Sequence, residues 1–336
     1  MSMSPIVSII VPVYNLERYL SETLDCIMRQ TFSDWVCIIV NDGSTDHSQS
    51  IIDEYCKKDK RFQGFKKENE KSADLARKYG LQFVATEFVQ HIDGDDLIED
   101  DFVERLIRRQ NETNADCVVA RLVGCDDKFE KENYRIPAEG FDMNQIVSGR
   151  DACAMTIGGW GLSGNVMLYR RELANKVAFG PCMNSDEFSQ RQILYYAQTV
   201  VFEDTHYLYR GNDGTSVTMS ARFFDRTLVD RQLETFVKEF FSDRPDKINA
   251  IVSQRLFNLI YLTADYYKNQ QILEPQDAQR IRKFLRSSFK ALDRVTMRKI
   301  LPYHNLFIGH SWLSFNLFSR VYVAYKRSHG GAYNYK

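Results

Sequence analysis

The stretch HIDGDDLIEDD, His91 to Asp101, places Asp93, Asp95 and Asp96 directly after the apolar run EFV and follows them with Glu99, Asp100 and Asp101. Like charges this close raise one another's pKa unless a cation lies among them. A hard divalent ion is the natural counter-charge. Magnesium-type sites use one or two carboxylates and complete the shell with water and phosphate oxygens. The spacing therefore points to a nucleotide diphosphate held through Mg2+ or Mn2+. Acidic runs between a strand and a helix also serve as solvated turns or helix starts; Glu99, Asp100 and Asp101 read that way.

Carboxylates on one turn need a frame that brings partners to them, and the first third of the chain supplies one. Short apolar runs alternate with amphipathic stretches, the pattern of a parallel sheet covered by helices. IVSIIVPVY, DWVCIIVND, RFQGFK and EFVQHID read as strands. Between them, LERYLSETLDCIMRQ carries Leu16, Leu20, Leu24 and Ile27 at helical spacing. GSTDHSQSIIDEYCKK puts Ile51, Ile52 and Tyr55 on one face, and SADLARKYGLQFVAT reads as a third helix. In open parallel sheets ligands gather beyond the carboxyl ends of the strands. VYN, NDGSTD and DGDD are thus expected in one crevice.

Beyond Asp116 the pattern is mixed. DCVVARLVG reads as a strand and KFEKENYRIPAEG as a charged loop or short hairpin. GGWGLSGNVMLYRREL reads as glycines, an apolar turn and a helix, and TVVFEDTHYLYR as a pair of strands. After Ser220 the chain is helix-compatible throughout, which sets expected domains at 1–219 and 220–336.

The 336 residues carry 44 Lys+Arg against 45 Asp+Glu, a net charge of -1. No global field would draw in nucleic acid, and none is expected as a partner. The seven cysteines are odd in number and include no CxxC, so they read as buried thiols of a reducing compartment. The start MSMSPIVSIIVPVYN lacks the basic region of a secretory leader, and no run approaches the ~18 apolar residues of a spanning helix. A cytoplasmic protein is expected. One segment, NLFIGHSWLSFNLFSRVYVAYKR at 305–327, is aromatic-rich, lacks acidic residues and ends in basic ones. It suits a helix lying peripherally in the inner face of a membrane, or equally one packed on the first domain. Lys283, Arg286 and Lys290 add a basic stripe.

PVYN after the first strand, QTFSDWVCIIVNDGSTD across the second, ARKYG on the third helix and DGDD after the fourth strand occur in that order. The combination resembles the family 2 glycosyltransferases. The resemblance, which covers residues 5 to about 218, implies an α/β class: a GT-A, Rossmann-like, mostly parallel sheet flanked by helices, here followed by a helical C-terminal domain. It implies an inverting transfer of a sugar from a UDP-sugar to a hydroxyl of a glycan or lipid-linked acceptor, in bacterial capsule, exopolysaccharide or lipopolysaccharide synthesis. Carried onto this chain, Pro12, Val13 and Tyr14 would floor the nucleotide pocket. Asp42 would accept the uracil N–H, a role that suits an acceptor-only carboxylate. Arg77 would approach the base or phosphates, Asp93 the ribose or a metal-bound water, and Asp95 the metal, with Asp96 also meeting substrate.

The resemblance also implies a base on a later segment, NSDEFSQRQILYYAQTVVFEDTHYLYR. Asp186 matches the Asp of an expected Glu-Asp pair, Ser185 stands where the Glu would be, and Glu187 is the alternative. A carboxylate in a partly dry crevice can be tuned into a general base; otherwise it caps the helix it begins. Glu203 and Asp204 read as turn residues. Trp160 in GGWGLSGN offers an apolar face for an acceptor sugar or for core packing. Arg210 would neutralise the diphosphate or make a structural ion pair, and His206 reads as structural before metal-binding. The chain departs from the common N-x-G-x-S-x-A-R-N-x-G pattern: NEKSADLARKYG lacks the first Gly and has Asp74 for Ser and Lys78 for Asn. Lys71, Asp74 and Lys78 then read as a solvated helix face or an unusual sugar-side wall. The departures leave a second reading, a nucleotide-sugar-binding protein without transfer activity. A dinucleotide-dependent oxidoreductase is disfavoured because no GxGxxG follows the first strand.

Overall fold

The computed structural model describes residues 6–159, 161–162, 166–211, 221–295 and 311–328. They form two compact units, one within Met1–Ser216 and one within Val217–Lys336.

The first unit opens with β1 (Val7–Val13), α1 (Leu20–Met28), β2 (Trp35–Asn41), α2 (Ser48–Lys58), β3 (Phe62–Lys66), α3 (Ala73–Leu81) and β4 (Phe88–His91). These strands pair in parallel in the order β3-β2-β1-β4. β1 is buried along its whole length, as a strand covered on both faces must be. Val13 lies opposite Asn41 and Ile10 opposite His91, so the polar residues that end β1, β2 and β4 share one edge. Ile52 and Tyr55 are buried as the α2 spacing predicts, and Ile51 is half-buried.

The rest of this unit holds β5 (Leu97–Ile98), α4 (Phe102–Thr113), β6 (Cys117–Cys125), β7 (Glu132–Ile136), β8 (Ile146–Ser148), α5 (Gly149–Met155), β9 (Met167–Arg170), α6 (Asp186–Tyr196) and β10 (Thr199–Tyr209). The sheet continues β4-β9-β6-β10-β5. β9 runs antiparallel to both β4 and β6, making the sheet mixed. The MLYR segment is therefore an interior strand, not an apolar turn, and a 3-10 turn at Arg171–Lys176 stands where a helix is expected. β7 completes a hairpin with β6. β10 is one strand in place of the expected pair, with a register shift between Phe202 and His206. At that shift Glu203 bonds Arg105 at 2.9 Å and Asp204 bonds Arg121 at 2.7 Å, so both belong to a strand and not to a turn.

The second unit contains α7 (Arg226–Phe240), α8 (Pro245–Asn269), α9 (Pro275–Lys290) and α10 (Trp312–Ser328). Leu233, Val237, Leu256, Leu259, Leu285 and Phe315 are buried in it. Cys26, Cys37, Cys117, Cys125 and Cys153 are buried free thiols; Cys56 and Cys182 are half-buried. Among the described residues no helix is long and apolar enough to cross a membrane.

Candidate active site

The acidic turn is fixed to the end of β1. Ile92 N–H donates to the Ile10 carbonyl at 3.1 Å, and Asp96 N–H to the Asp93 carbonyl at 3.1 Å. Gly94 permits this approach: a Cβ there would lie 2.8 Å from Leu16 Cδ1 and 3.2 Å from the Pro12 carbonyl oxygen. β10 supports the turn from the other side. The Tyr207 hydroxyl accepts from Asp93 N–H at 3.0 Å and donates to Asp96 Oδ2 at 2.8 Å, while Arg210 N–H donates to Asp96 Oδ1 at 2.8 Å.

Two expected ligand contacts are thereby corrected. Asp96 is 1 % exposed with both oxygens engaged, so it frames the turn and does not face substrate. Burial, with Asp95 and Asp93 adding to it, holds its pKa well above the carboxylate range. Arg210 donates from Nε to the Asp95 carbonyl at 2.7 Å, from Nη2 to Glu22 at 2.6 Å and from Nη1 to the Asp127 carbonyl. Its guanidinium also lies over the Tyr19 and Phe129 rings. It braces the turn instead of being free for a diphosphate. Glu99 is corrected as well: it does not cap α4 but accepts from Thr205 Oγ1, His206 N–H and His206 Nδ1, the last at 2.7 Å. His206 is held by that bond in a structural role.

Asp93 and Asp95 are the half-buried carboxylates of the turn. The Asp95 carboxylate takes no hydrogen bond from another described residue, and burial, then Asp93, pushes its pKa up to about 6. A half-buried carboxylate beside a second one is short of positive charge. A divalent ion would fit here, with Asp95 and Asp93 as the residues that would hold it, two carboxylates being within the number such a site uses. Among the described residues no cluster of three or more His, Cys, Asp or Glu is placed for a metal.

Behind this pair lies Arg77 on α3, buried. Its Nη2 bonds Asp93 Oδ1 and its Nη1 stands 3.5 Å from Asp186 Oδ2. Burial opposes its charge, but Asp93, Asp186 and Asp74 outweigh burial and raise its pKa. It thus joins two carboxylates and is not an open phosphate ligand. Asp186 is the first residue of α6, with a side chain 20 % exposed. Burial raises its pKa and Arg77 opposes the rise. Glu187 turns into the framework, 3.6 Å from Arg191 and 3.5 Å from Asn184.

At the ends of β1 and β2, Pro12 and Val13 are buried and Tyr14 is 48 % exposed. Asp42 is buried, its N–H donating to the Val13 carbonyl at 2.8 Å. Its Oδ1 accepts from Lys67 Nζ at 2.7 Å and Glu70 N–H at 3.1 Å, and Oδ2 takes no hydrogen bond from a described residue. Lys67 is a contact the sequence reading missed, although pairing β3 in register with β2 puts Lys66 opposite Asn41 and so Lys67 beside Asp42. Asn15, at φ 54°, accepts from Thr45 N–H at 2.8 Å and ties the two loops together. Asp46, two residues before α2, accepts from Ser48 N–H at 3.0 Å and from Glu17 N–H at 2.9 Å. Trp160 lies outside the described residues.

Comparison with known proteins bears on this geometry directly. The family model described as "Glycosyl transferase family 2" matches residues 8–178, a span that runs from the second residue of β1 past the end of β9. The glycosyltransferase GlyG of Streptococcus pneumoniae is 27% identical over 245 residues, covering 70% of this chain and 80% of that protein. The minor teichoic acid biosynthesis protein GgaB of Bacillus subtilis is 35% identical over 102 residues, 30% of this chain and 11% of that protein. Among solved structures, S. aureus TarS 1-349 in complex with UDP-GlcNAc superimposes with a TM-score of 0.67 at 17% identity, covering 98% of this chain and 94% of that one. That likeness concerns the fold. With its sheet, its DGDD turn and the family match in agreement, the chain belongs to glycosyl transferase family 2 and is a glycosyltransferase of GT-A fold.

Proposed function

We propose that the protein moves a sugar from a UDP-sugar to a hydroxyl of a glycan or lipid-linked acceptor, with inversion and dependence on Mg2+ or Mn2+. The observation that carries this reading is the convergence of Asp93 and Asp186 on the single guanidinium of Arg77, beside Asp95, whose carboxylate takes no hydrogen bond from another described residue. In it, Asp95 and Asp93 hold the ion. A bound divalent ion would offset the charge of the diphosphate and make UDP a better leaving group. The open Oδ2 of Asp42 accepts the uracil imide N–H, with Pro12, Val13 and Tyr14 beneath the base. Asp186, its pKa raised by burial, takes the proton of the acceptor hydroxyl as that oxygen attacks the anomeric carbon. Direct displacement needs one base, and Glu187 is committed to Arg191. TarS with UDP-GlcNAc and the teichoic acid protein GgaB support a UDP-sugar donor and a role in bacterial surface polysaccharide synthesis.

The test is UDP release from a panel of UDP-sugars, with Mn2+ and with chelator. Metal-dependent turnover of one donor is expected, lost by about 10²–10⁴-fold in Asp186→Asn while UDP binding stays. Turnover unaffected by chelator would remove the metal from the mechanism. UDP-sugar binding without turnover under any condition would favour the binding-protein reading.

We also read α10 as a contact with the inner face of a membrane. Its Leu313 is 76 % exposed, and Leu317 and Val321 are exposed at successive four-residue steps. Phe315, Ser319 and Val323 face inward, Tyr322 meets Tyr261 of α8, and Trp312 meets Phe289 of α9. Arg320 flanks the exposed stripe, and the helix has no acidic residue.

A further inference from the structure

Two departures from the common pattern of relatives, Ser72 in place of Gly and Asp74 in place of Ser, meet in one structural feature. The Ser72 hydroxyl donates to the Gly180 carbonyl at 2.8 Å, and Asp74 Oδ2 accepts from Gly180 N–H at 2.8 Å. The other Asp74 oxygen accepts from the Ser189 hydroxyl at 2.7 Å. Ser189 sits one turn into α6, on the same helix that Asp186 begins, and its hydroxyl also lies 3.4 Å from the Asp186 carbonyl. Both backbone polar groups of Gly180, its N–H and its carbonyl, are therefore held by α3 and its N-cap Ser72, and so is the first turn of α6. Gly180 itself is closely fitted: a Cβ there would lie 2.7 Å from Ser185 Oγ. Asp74 is buried, which removes the solvated-face alternative for it and leaves the other, an unusual wall, untouched.

We propose that Ser72 and Asp74 are positioning residues for the general base: they clamp the segment before α6 to α3, the helix that also carries Arg77, and so fix Asp186 against the acceptor. The inference rests on the proposed role of Asp186. α3 then presents both parts of the proton-transfer apparatus, the guanidinium 3.5 Å from Asp186 and the anchor for the helix start. Neither residue needs to touch substrate. Misplacement of a reacting group by about 1 Å can cost on the order of 100-fold in rate, which is the scale on which such a clamp acts. The charged groups around Asp74 are Asp186 and Arg77, and Asp93 lies beyond Arg77.

The test uses the full 336-residue chain and, as probe, the UDP-sugar that gives the fastest metal-dependent UDP release. Asp74→Ala and the pattern-restoring pair Ser72→Gly with Asp74→Ser are expected to lower kcat by roughly 10–100-fold. The donor KM and the affinity for UDP should stay unchanged, because Asp42, Asp93 and Asp95 are untouched. Asp74→Asn should restore most of kcat. Its amide oxygen can accept from Gly180 N–H, and its amide N–H can donate to Ser189 Oγ, which then donates to the Asp186 carbonyl. A variant damaged merely in folding would lose UDP binding along with rate. Where Asp74→Ala melts below the assay temperature, the single-bond deletions Ser72→Ala and Ser189→Ala carry the test through the same kcat against KM split. Full kcat in these variants, with Asp186→Asn inactive, overturns the clamp and leaves the base intact. Full activity in Asp186→Asn overturns the base, and the positioning claim with it.

Discussion

Asp74 and Asp95 are both pushed up to about 6, mainly by burial, yet their neighbours assign them different work. Among the described residues no other side chain hydrogen-bonds the Asp95 carboxylate, whereas Asp74 has Gly180 N–H and the Ser189 hydroxyl. For Asp74 the folded-state pKa lies above the ordinary value of 3.8, so the native state holds the proton more tightly than the unfolded chain. Its contribution to stability is full below pH ~3.8 and is lost as pH rises through ~6. Asp74→Asn is therefore expected to be more stable than the parent at pH 8, by roughly 1–3 kcal/mol, and little different at pH 4. Urea unfolding at the two pH values reads this; an equal effect at both would show that the ionised form is not disfavoured. That the DGDD turn and the NDGSTD turn carrying Asp42 follow the ends of strands was legible from the apolar runs before them. The partners of Asp74 were not, since Gly180 and Ser189 lie 106 and 115 residues away and leave no local periodicity.

The elements show the same division. β1 to β4 and their helices follow from the alternation of apolar runs with amphipathic stretches, which is plainest at β1 and β2, each seven residues long and buried nearly throughout. β9 did not: four residues, MLYR, carry too little pattern to distinguish a strand from a turn, and only pairing with β4 and β6 decides. β10 was divided in two by its polar centre, EDTH, whose side chains leave the sheet to meet Arg105, Arg121 and Glu99. The end of β10 is also where an element reaches the site, through the Tyr207 hydroxyl. Tyr207→Phe removes the acceptor of Asp93 N–H and a donor to buried Asp96, a loss of about 1–3 kcal/mol. It is expected to weaken Mn2+-dependent UDP binding, measured by calorimetry, although Tyr207 touches no ligand in the proposed mechanism. Unchanged binding would mean that Arg210 alone keeps the turn in place.

At the scale of the whole molecule, a net charge of -1 leaves membrane attraction to local features. The exposed Leu313, Leu317 and Val321 of α10 and the adjoining Arg320 are such a feature. The interface reading predicts flotation of the protein with vesicles containing anionic phosphatidylglycerol, reduced in a Leu313→Ser, Leu317→Ser variant whose UDP release is unchanged. Equal flotation of parent and variant would place the contact elsewhere, and no flotation of the parent would remove it. The helical content of the second unit was plain from composition. That α10 packs on α8 and α9 was not, because its residues are apolar or aromatic on more than one face.

If Asp42 meets the base as proposed, its bond from Lys67 bears on which nucleobase is admitted. With one oxygen pinned by an ammonium and a backbone amide, the direction of the other is set, and an ionised carboxylate there has a lone pair to offer and no hydrogen. Uracil and thymine answer it with the same imide hydrogen. Cytosine turns a ring-nitrogen lone pair toward the same position, setting two acceptors face to face, so on the proposed role of Asp42 the choice between pyrimidines follows from the strand register that brings Lys67 to it.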